Sequence, residues 1–273
     1  MARIYEAVVC FLVAWPAVTQ SQAFEKIVIK PAPSADPRSE RVQVLPNGAL
    51  KAKAVSVIAL LSYAYDIPAN PSPRLFSLPG WTIGERYDIE ENAPTTISAL
   101  SQDSETQSQT KQMIRRLLTD HFKLVMRVEN KRMPVYALIV SSSGPKLQRS
   151  AIGAKNCIFD TDPDGCHNFV IGFGHPLIAN AISMDDLAHY IENWTDLPVV
   201  NRTQFGGLFT VNAQGWLPMR LPPPPPGATP NPDMFAGLPT IFTVLGTLGL
   251  ELHRQEETLP VYTIEHIERP AAD

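Results

Sequence analysis

Val55-Ser56-Val57, followed by Leu60, Leu61 and Tyr63, recurs 127 positions later as Ile182-Ser183-Met184 with Leu187, Ala188 and Tyr190. Met133-Pro134-Val135-Tyr136 recurs as Leu259-Pro260-Val261-Tyr262 at an offset of 126. Two blocks roughly seventy residues apart keep one spacing to within a position, so the chain reads as a duplicated unit whose copies must share one way of folding.

On this reading the 273 residues divide into three. Residues 1–23 form a secretory signal: Arg3 is the positive charge, Ala7 to Val18 the apolar run, and Ser21-Gln22-Ala23 a small-x-small cleavage site. Pro16 interrupts the run, which is too short to span a bilayer, and no later segment reaches that length. A periplasmic or extracellular protein with no membrane span in the mature chain is expected. Residues 24–150 and 151–273 are the two repeats, each large enough for its own core. The net charge of -4 is spread without a basic stripe, which argues against nucleic acid and leaves an envelope protein or peptide as the expected partner.

Within each repeat the same patterns follow in order. Leu50, Ala52 and Ala54 alternate with polar residues, as do Leu177, Ala179 and Ala181, which predicts a strand. Ser56 and Ser183 stand where helix N-caps belong, and Asp186 completes a capping box. Val57, Leu60, Leu61 and Ala64 form a helical stripe matched by Met184, Leu187, Ala188 and Ile191. Extended segments at Arg86 to Glu90 and Leu208 to Val211 precede second helices. One carries Met113, Ile114, Leu117 and Leu118, the other Ile241, Val244, Leu245 and Leu248, with Gly249 as its stop. Each repeat is then expected to close on a hairpin. The first turns at Asn130-Lys131-Arg132 before Val135 to Val140, and the second at Glu256-Glu257 before Val261 to Ile267. The fold class is α+β: two tandem pseudo-symmetric repeats, each with two helices packed on a mostly antiparallel sheet. Gln102 to Gln109 reads as a loop or frayed helix start, and the proline-rich insertion 221–232 as a polyproline-II spacer.

Several ordered motifs carry a resemblance. They are Phe24 to Pro31, Leu60-Leu61-Ser62-Tyr63-Ala64-Tyr65, Gly80-Trp81 with Arg86-Tyr87-Asp88-Ile89, Leu117 to Leu124, and Pro134-Val135-Tyr136-Ala137-Leu138 with Gly144-Pro145-Lys146-Leu147. The chain resembles an exported conserved-hypothetical family expanded in acidobacteria, a domain of unknown function. In that family the second repeat reads Pro-Val-Val-Asp-x-Thr-Gly-Leu-x-Gly, whereas here Asn201 replaces the Asp and Gln204-Phe205 the Gly-Leu pair. A catalytic role for that Asp would therefore be lost here. The second repeat is also similar to the short N-terminal domain of secretins and TonB-dependent receptors, through Leu187-Ala188-x-x-Ile191 and Leu248-Gly249-Leu250-Glu251-Leu252. That similarity implies protein recognition in the envelope.

Chemistry-bearing groups are few. Cys157 and Cys166 are expected as a disulfide in an oxidising compartment, with a zinc site including His167 and His175 as the weaker alternative. Asp160, Asp162 and Asp164 before Gly165 begin a calcium loop of the EF-hand kind, but Ile171 stands where the bidentate acid belongs, which favours an acidic turn. No cofactor is expected unless this turn takes calcium. No Gly-x-Ser-x-Gly or His-Glu-x-x-His occurs, and Gly144-Pro145 breaks the helix that Ser143-x-x-Lys146 would need. His121, His189, His253 and His266 read as solvated or capping, and Asp185-Asp186 as first-turn acids that complement the helix dipole. Tyr63, Tyr65, Trp81, Tyr87, Tyr190 and Trp194 either pack in the cores or line a cleft between the lobes as a ligand site. The expected function is a non-catalytic binding or sensor module for an envelope protein, peptide or small ligand. A hydrolase with a dispersed site and a calcium-stabilised structural protein are the alternatives.

Overall fold

A computed structural model describes residues 27–33, 36, 39–45, 49–68, 72–91, 104–153, 166–170, 174–220 and 235–271, the side chains of 104–109 excepted. The expected signal at 1–23, Cys157, the acids Asp160, Asp162 and Asp164, and the insertion 221–232 lie outside the described residues.

The elements run β1 (Ile27–Pro31), β2 (Arg41–Val44), β3 (Leu50–Ser56), α1 (Val57–Tyr65), β4 (Leu75–Phe76), α2 (Trp81–Gly84), β5 (Arg86–Glu91), α3 (Ser104–His121) and β6 (Val125–Val140). There follow β7 (Gln148–Arg149), β8 (Leu177–Ile182), α4 (Met184–Glu192), β9 (Val199–Asn201), β10 (Phe209–Ala213), α5 (Ile241–Thr247) and β11 (Leu250–His266). The class is α+β, with sheets ordered β1-β5-β3-β2, β7-β10-β8 and β4-β11-β6-β9. All strand pairs are antiparallel except β4 with β11 and β9 with β6.

The expected caps form. Ser56 Oγ accepts the Ala59 N–H at 3.3 Å, and Ser183 Oγ accepts that of Asp186 at 3.1 Å while Asp186 Oδ2 accepts the Ser183 N–H at 2.7 Å. Each cap satisfies a donor that the first helical turn leaves unpaired. The strands feeding these helices pair alike. Leu50, Ala52 and Val55 face Glu91, Ile89 and Tyr87, whereas Leu177, Ala179 and Ile182 face Ala213, Val211 and Phe209. Both ladders shift register at the same place, between Ala52 and Val55 and opposite the step from Ala179 to Ile182. At the ends of the second helices Lys123 and Gly249 take φ +53° and +71°.

The two expected hairpins do not form. β6 and β11 are single strands of 16 and 17 residues, paired with each other along their whole length. Asn130-Lys131-Arg132 and Glu256-Glu257 stay extended because the middle of this ribbon is mostly solvent-exposed, so charged side chains sit on strands at no desolvation cost. Arg132 faces Thr258, and outward from that pair the register is two-fold: Pro134 faces Glu256 as Pro260 faces Asn130, and Tyr136 faces Arg254 as Tyr262 faces Val128. β9 joins β6 at Tyr136, and β4 joins β11 at Tyr262.

This ribbon interlocks two cores. One is built by α1, α3, β3 and β5, with Ile29, Leu60, Ile89, Leu117 and Phe122, and takes in Ile264 from the far end of β11. The other is built by α4, α5, β8 and β10 around Trp216, and takes in Leu138 from the far end of β6. Each core is thus completed by a strand end from the other half, and each such buried side chain contributes about 2 kcal/mol. No described helix is long and apolar enough to cross a membrane.

Candidate functional site

Between the two cores opens a cleft of about 900 Å³, bounded by α1, α3, α4 and β9. The α1 stripe that buries Leu60, Leu61 and Ala64 turns Ser62, Tyr63 and Asp66 toward the cleft. In the same way, burial of Leu187 and Ile191 turns Asp186, His189 and Tyr190 toward it from α4.

The floor is an ion pair across the halves. Arg74 Nε donates to Glu192 Oε1 at 2.9 Å and Nη2 to Oε2 at 3.1 Å, and Nη2 also reaches the Asp66 carbonyl at 3.2 Å. Both side chains are buried. Burial pushes the Glu192 carboxyl up, while Arg74, the Val199 N–H and Arg220 pull it back. Asp66, in the left-handed conformation at the end of α1, receives Lys111 Nζ at 2.7 Å from α3. On the α4 wall His167 Nδ1 lies 2.7 Å from Asp186 Oδ2, and this hydrogen bond raises the imidazole pKa. At the rim, Asn201 Nδ2 donates to Asp185 Oδ1 at 3.0 Å, and Arg202 pairs with Glu257.

His189 and Tyr190 differ from these groups. The His189 ring retains some solvent access but is enclosed by protein, and burial lowers its pKa, which leaves the imidazole neutral. Burial pushes the Tyr190 phenol up to about 12, and its ring stacks on Phe169 with centroids 4.0 Å apart. Neither the His189 ring nor the Tyr190 hydroxyl has a hydrogen-bond partner among the described residues, although both line the cleft. Each is left with a donor and an acceptor to offer.

Of the six aromatic residues singled out in the sequence, the cleft gathers Tyr63 and Tyr190. Tyr65 tilts against Tyr262 at 5.7 Å with Arg115 over its ring at 4.8 Å. Tyr87 is buried edge-on to Phe122 at 5.5 Å and donates to Glu85 at 2.9 Å. Trp81 lies under Arg269, itself paired with Glu85. Trp194 stacks on His175 at 3.8 Å, beside the buried Trp216. Cys166 is buried at the cleft edge. Among the described residues no His, Cys, Asp and Glu cluster is arranged to hold a metal ion.

Arg74, Lys111 and Glu192 were not legible as site residues. Arg74 and Glu192 are 118 positions apart, and the repeat places Tyr65 where Glu192 stands in the other half. No local pattern joins such residues. His189, read as solvated or capping, faces the cleft instead.

The model of a family described as a protein of unknown function, DUF3738, matches residues 58–267, from α1 through β11, with β1, β2 and β3 of the first core lying before the match. No curated protein and no solved structure matches the chain.

Proposed function

The chain belongs to the DUF3738 family, and from the cleft between its halves we propose that it is an exported, non-catalytic binding module of the bacterial cell envelope that takes a small ligand there. The observation that carries this reading is the pairing of two neutral, unpartnered groups, His189 and Tyr190, inside a cavity of about 900 Å³. Ligand sites combine such a concavity with a few convergent polar groups. The matched registers of β3–β5 and β8–β10, and the two-fold register about Arg132 and Thr258, support descent from one duplicated unit, here read as 24–150 and 151–273. On this reading the cleft lies between the copies, and Tyr63 and Tyr190, at equivalent positions of the repeat, both line it. The signal at 1–23, a Cys157–Cys166 disulfide and the resemblance of the second half to receptor-associated domains supply the envelope setting.

A hydrolase reading draws on His167 and Ser183, both in contact with Asp186. The geometry disfavours it, because Ser183 Oγ is committed to the α4 capping box, accepting the Asp186 N–H at 3.1 Å and donating to Asp186 Oδ2 at 2.7 Å, and His167 bonds that carboxylate rather than the hydroxyl. The test is thermal melting of the protein against size-fractionated bacterial envelope extract. A saturable rise in melting temperature that His189→Ala abolishes is expected. A rise of equal size in that variant would place the ligand elsewhere.

A further inference from the structure

We infer that the cleft ligand is an uncharged oligosaccharide whose hydroxyls are read by His189 and Tyr190; this rests on the cleft being the ligand site. Its ionised lining groups are already committed. Arg74 is held by Glu192, Lys111 by Asp66, Arg202 by Glu257 and Glu40 by Arg86, while Asp186 receives His167 and Asp185 the Asn201 amide. A charged ligand competes with these partners, and at the one buried pair, Arg74 with Glu192, displacing either partner leaves an uncompensated charge. A neutral ligand breaks none.

What remains free is neutral. The His189 imidazole offers one donor and one acceptor, and the Tyr190 hydroxyl one of each. Sugar hydroxyls are themselves donors and acceptors, so they match both groups without any change of charge. Tyr63 and Tyr190 both line the cleft, the Tyr190 ring with one face stacked on Phe169, and a pyranose packs its C–H face on such polar-tipped rings. The exposed Asp66 carboxylate keeps lone pairs beyond the one used by Lys111, so it accepts a sugar hydroxyl while staying paired. The cleft volume of about 900 Å³ lies toward the upper end for small-ligand pockets, about 300–1,000 Å³. It therefore suits several linked rings better than one.

The test is a glycan array of neutral, anionic and cationic oligosaccharides probed with the full chain, followed by calorimetry with the strongest neutral binder. A neutral oligosaccharide is expected to bind with an affinity that salt leaves nearly unchanged, since no charge pair forms. Tyr190→Phe, which keeps ring and volume, and His189→Ala should each weaken it by about tenfold, the loss of one hydrogen bond. Unaltered melting of Tyr190→Phe separates this from misfolding. Binding confined to charged glycans, or weakening steeply with salt, overturns the proposal. A blank array beside an envelope extract whose melting shift needs His189 overturns the sugar and keeps the cleft. Neutral-sugar binding that both substitutions leave intact overturns the sugar assignment and the cleft together.

Discussion

Arg74 and Glu192 meet through two hydrogen bonds, 2.9 and 3.1 Å long, in the floor of the cleft. One comes from the loop after α1 and the other from the end of α4, so the pair fastens the halves to each other as it shapes the site. Removing one partner strands the other without water. Arg74→Ala or Glu192→Ala should each lower stability by about 3–5 kcal/mol, measured by urea unfolding. Arg74→Met combined with Glu192→Leu should lose much less, since no charge is left buried.

His167 and Asp186 couple stability to pH. The Asp186 hydrogen bond raises the folded-state pKa of His167 above 6.5. The native state therefore holds this proton more tightly than the unfolded chain, and the contribution is complete below the unfolded value. It disappears as pH rises through the higher folded value. The melting difference between the wild type and His167→Gln should be largest near about pH 5 and shrink as pH rises past about 7. A difference that grows with pH contradicts the assignment.

Gly249 stands at φ +71°, and a Cβ there would lie 2.1 Å from the Gly144 carbonyl oxygen. Gly249→Ala combines a left-handed non-glycine residue with a backbone clash, and should cost about 2–4 kcal/mol in denaturant unfolding. Lys123 occupies the matching turn at φ +53° with its side chain reaching the Asp120 carbonyl at 2.7 Å, so that position carries a Cβ.

Asn201 donates to Asp185 and accepts from the Thr203 N–H and hydroxyl at 3.0 and 2.7 Å. Asn201→Asp keeps the acceptor and replaces the donor by a second carboxylate at the cleft rim. It should lower stability at neutral pH by about 1 kcal/mol. Urea unfolding of the variant beside the wild type reads this difference.

Local periodicity made much of the fold legible. The stripes of α1, α3, α4 and α5, the serine caps and the stop at Gly249 depend on neighbours within a turn or two, and sequence spacing records those directly. The ribbon was misread because Asn130-Lys131 and Glu256-Glu257 look like turns in any local window. What holds them extended is the opposite strand: Lys131 pairs with Leu259 and Glu256 with Pro134, across the two halves. The site followed the same rule. Tyr63 and Tyr190 were named because the repeat aligns them, whereas Arg74, Lys111 and Glu192 converge only once the two cores are interlocked.

Native-state hydrogen exchange of the intact chain tests most directly whether the two cores form one body around the cleft. Because Ile264 completes the first core and Leu138 the second, the slowest amides of Leu60 and Leu117 and those of Leu187 and Val244 should open with one free energy, equal to that of global unfolding. If the Leu187 and Val244 amides exchange through a markedly cheaper opening while Leu60 and Leu117 stay protected, the halves are independent and the account of the cleft fails.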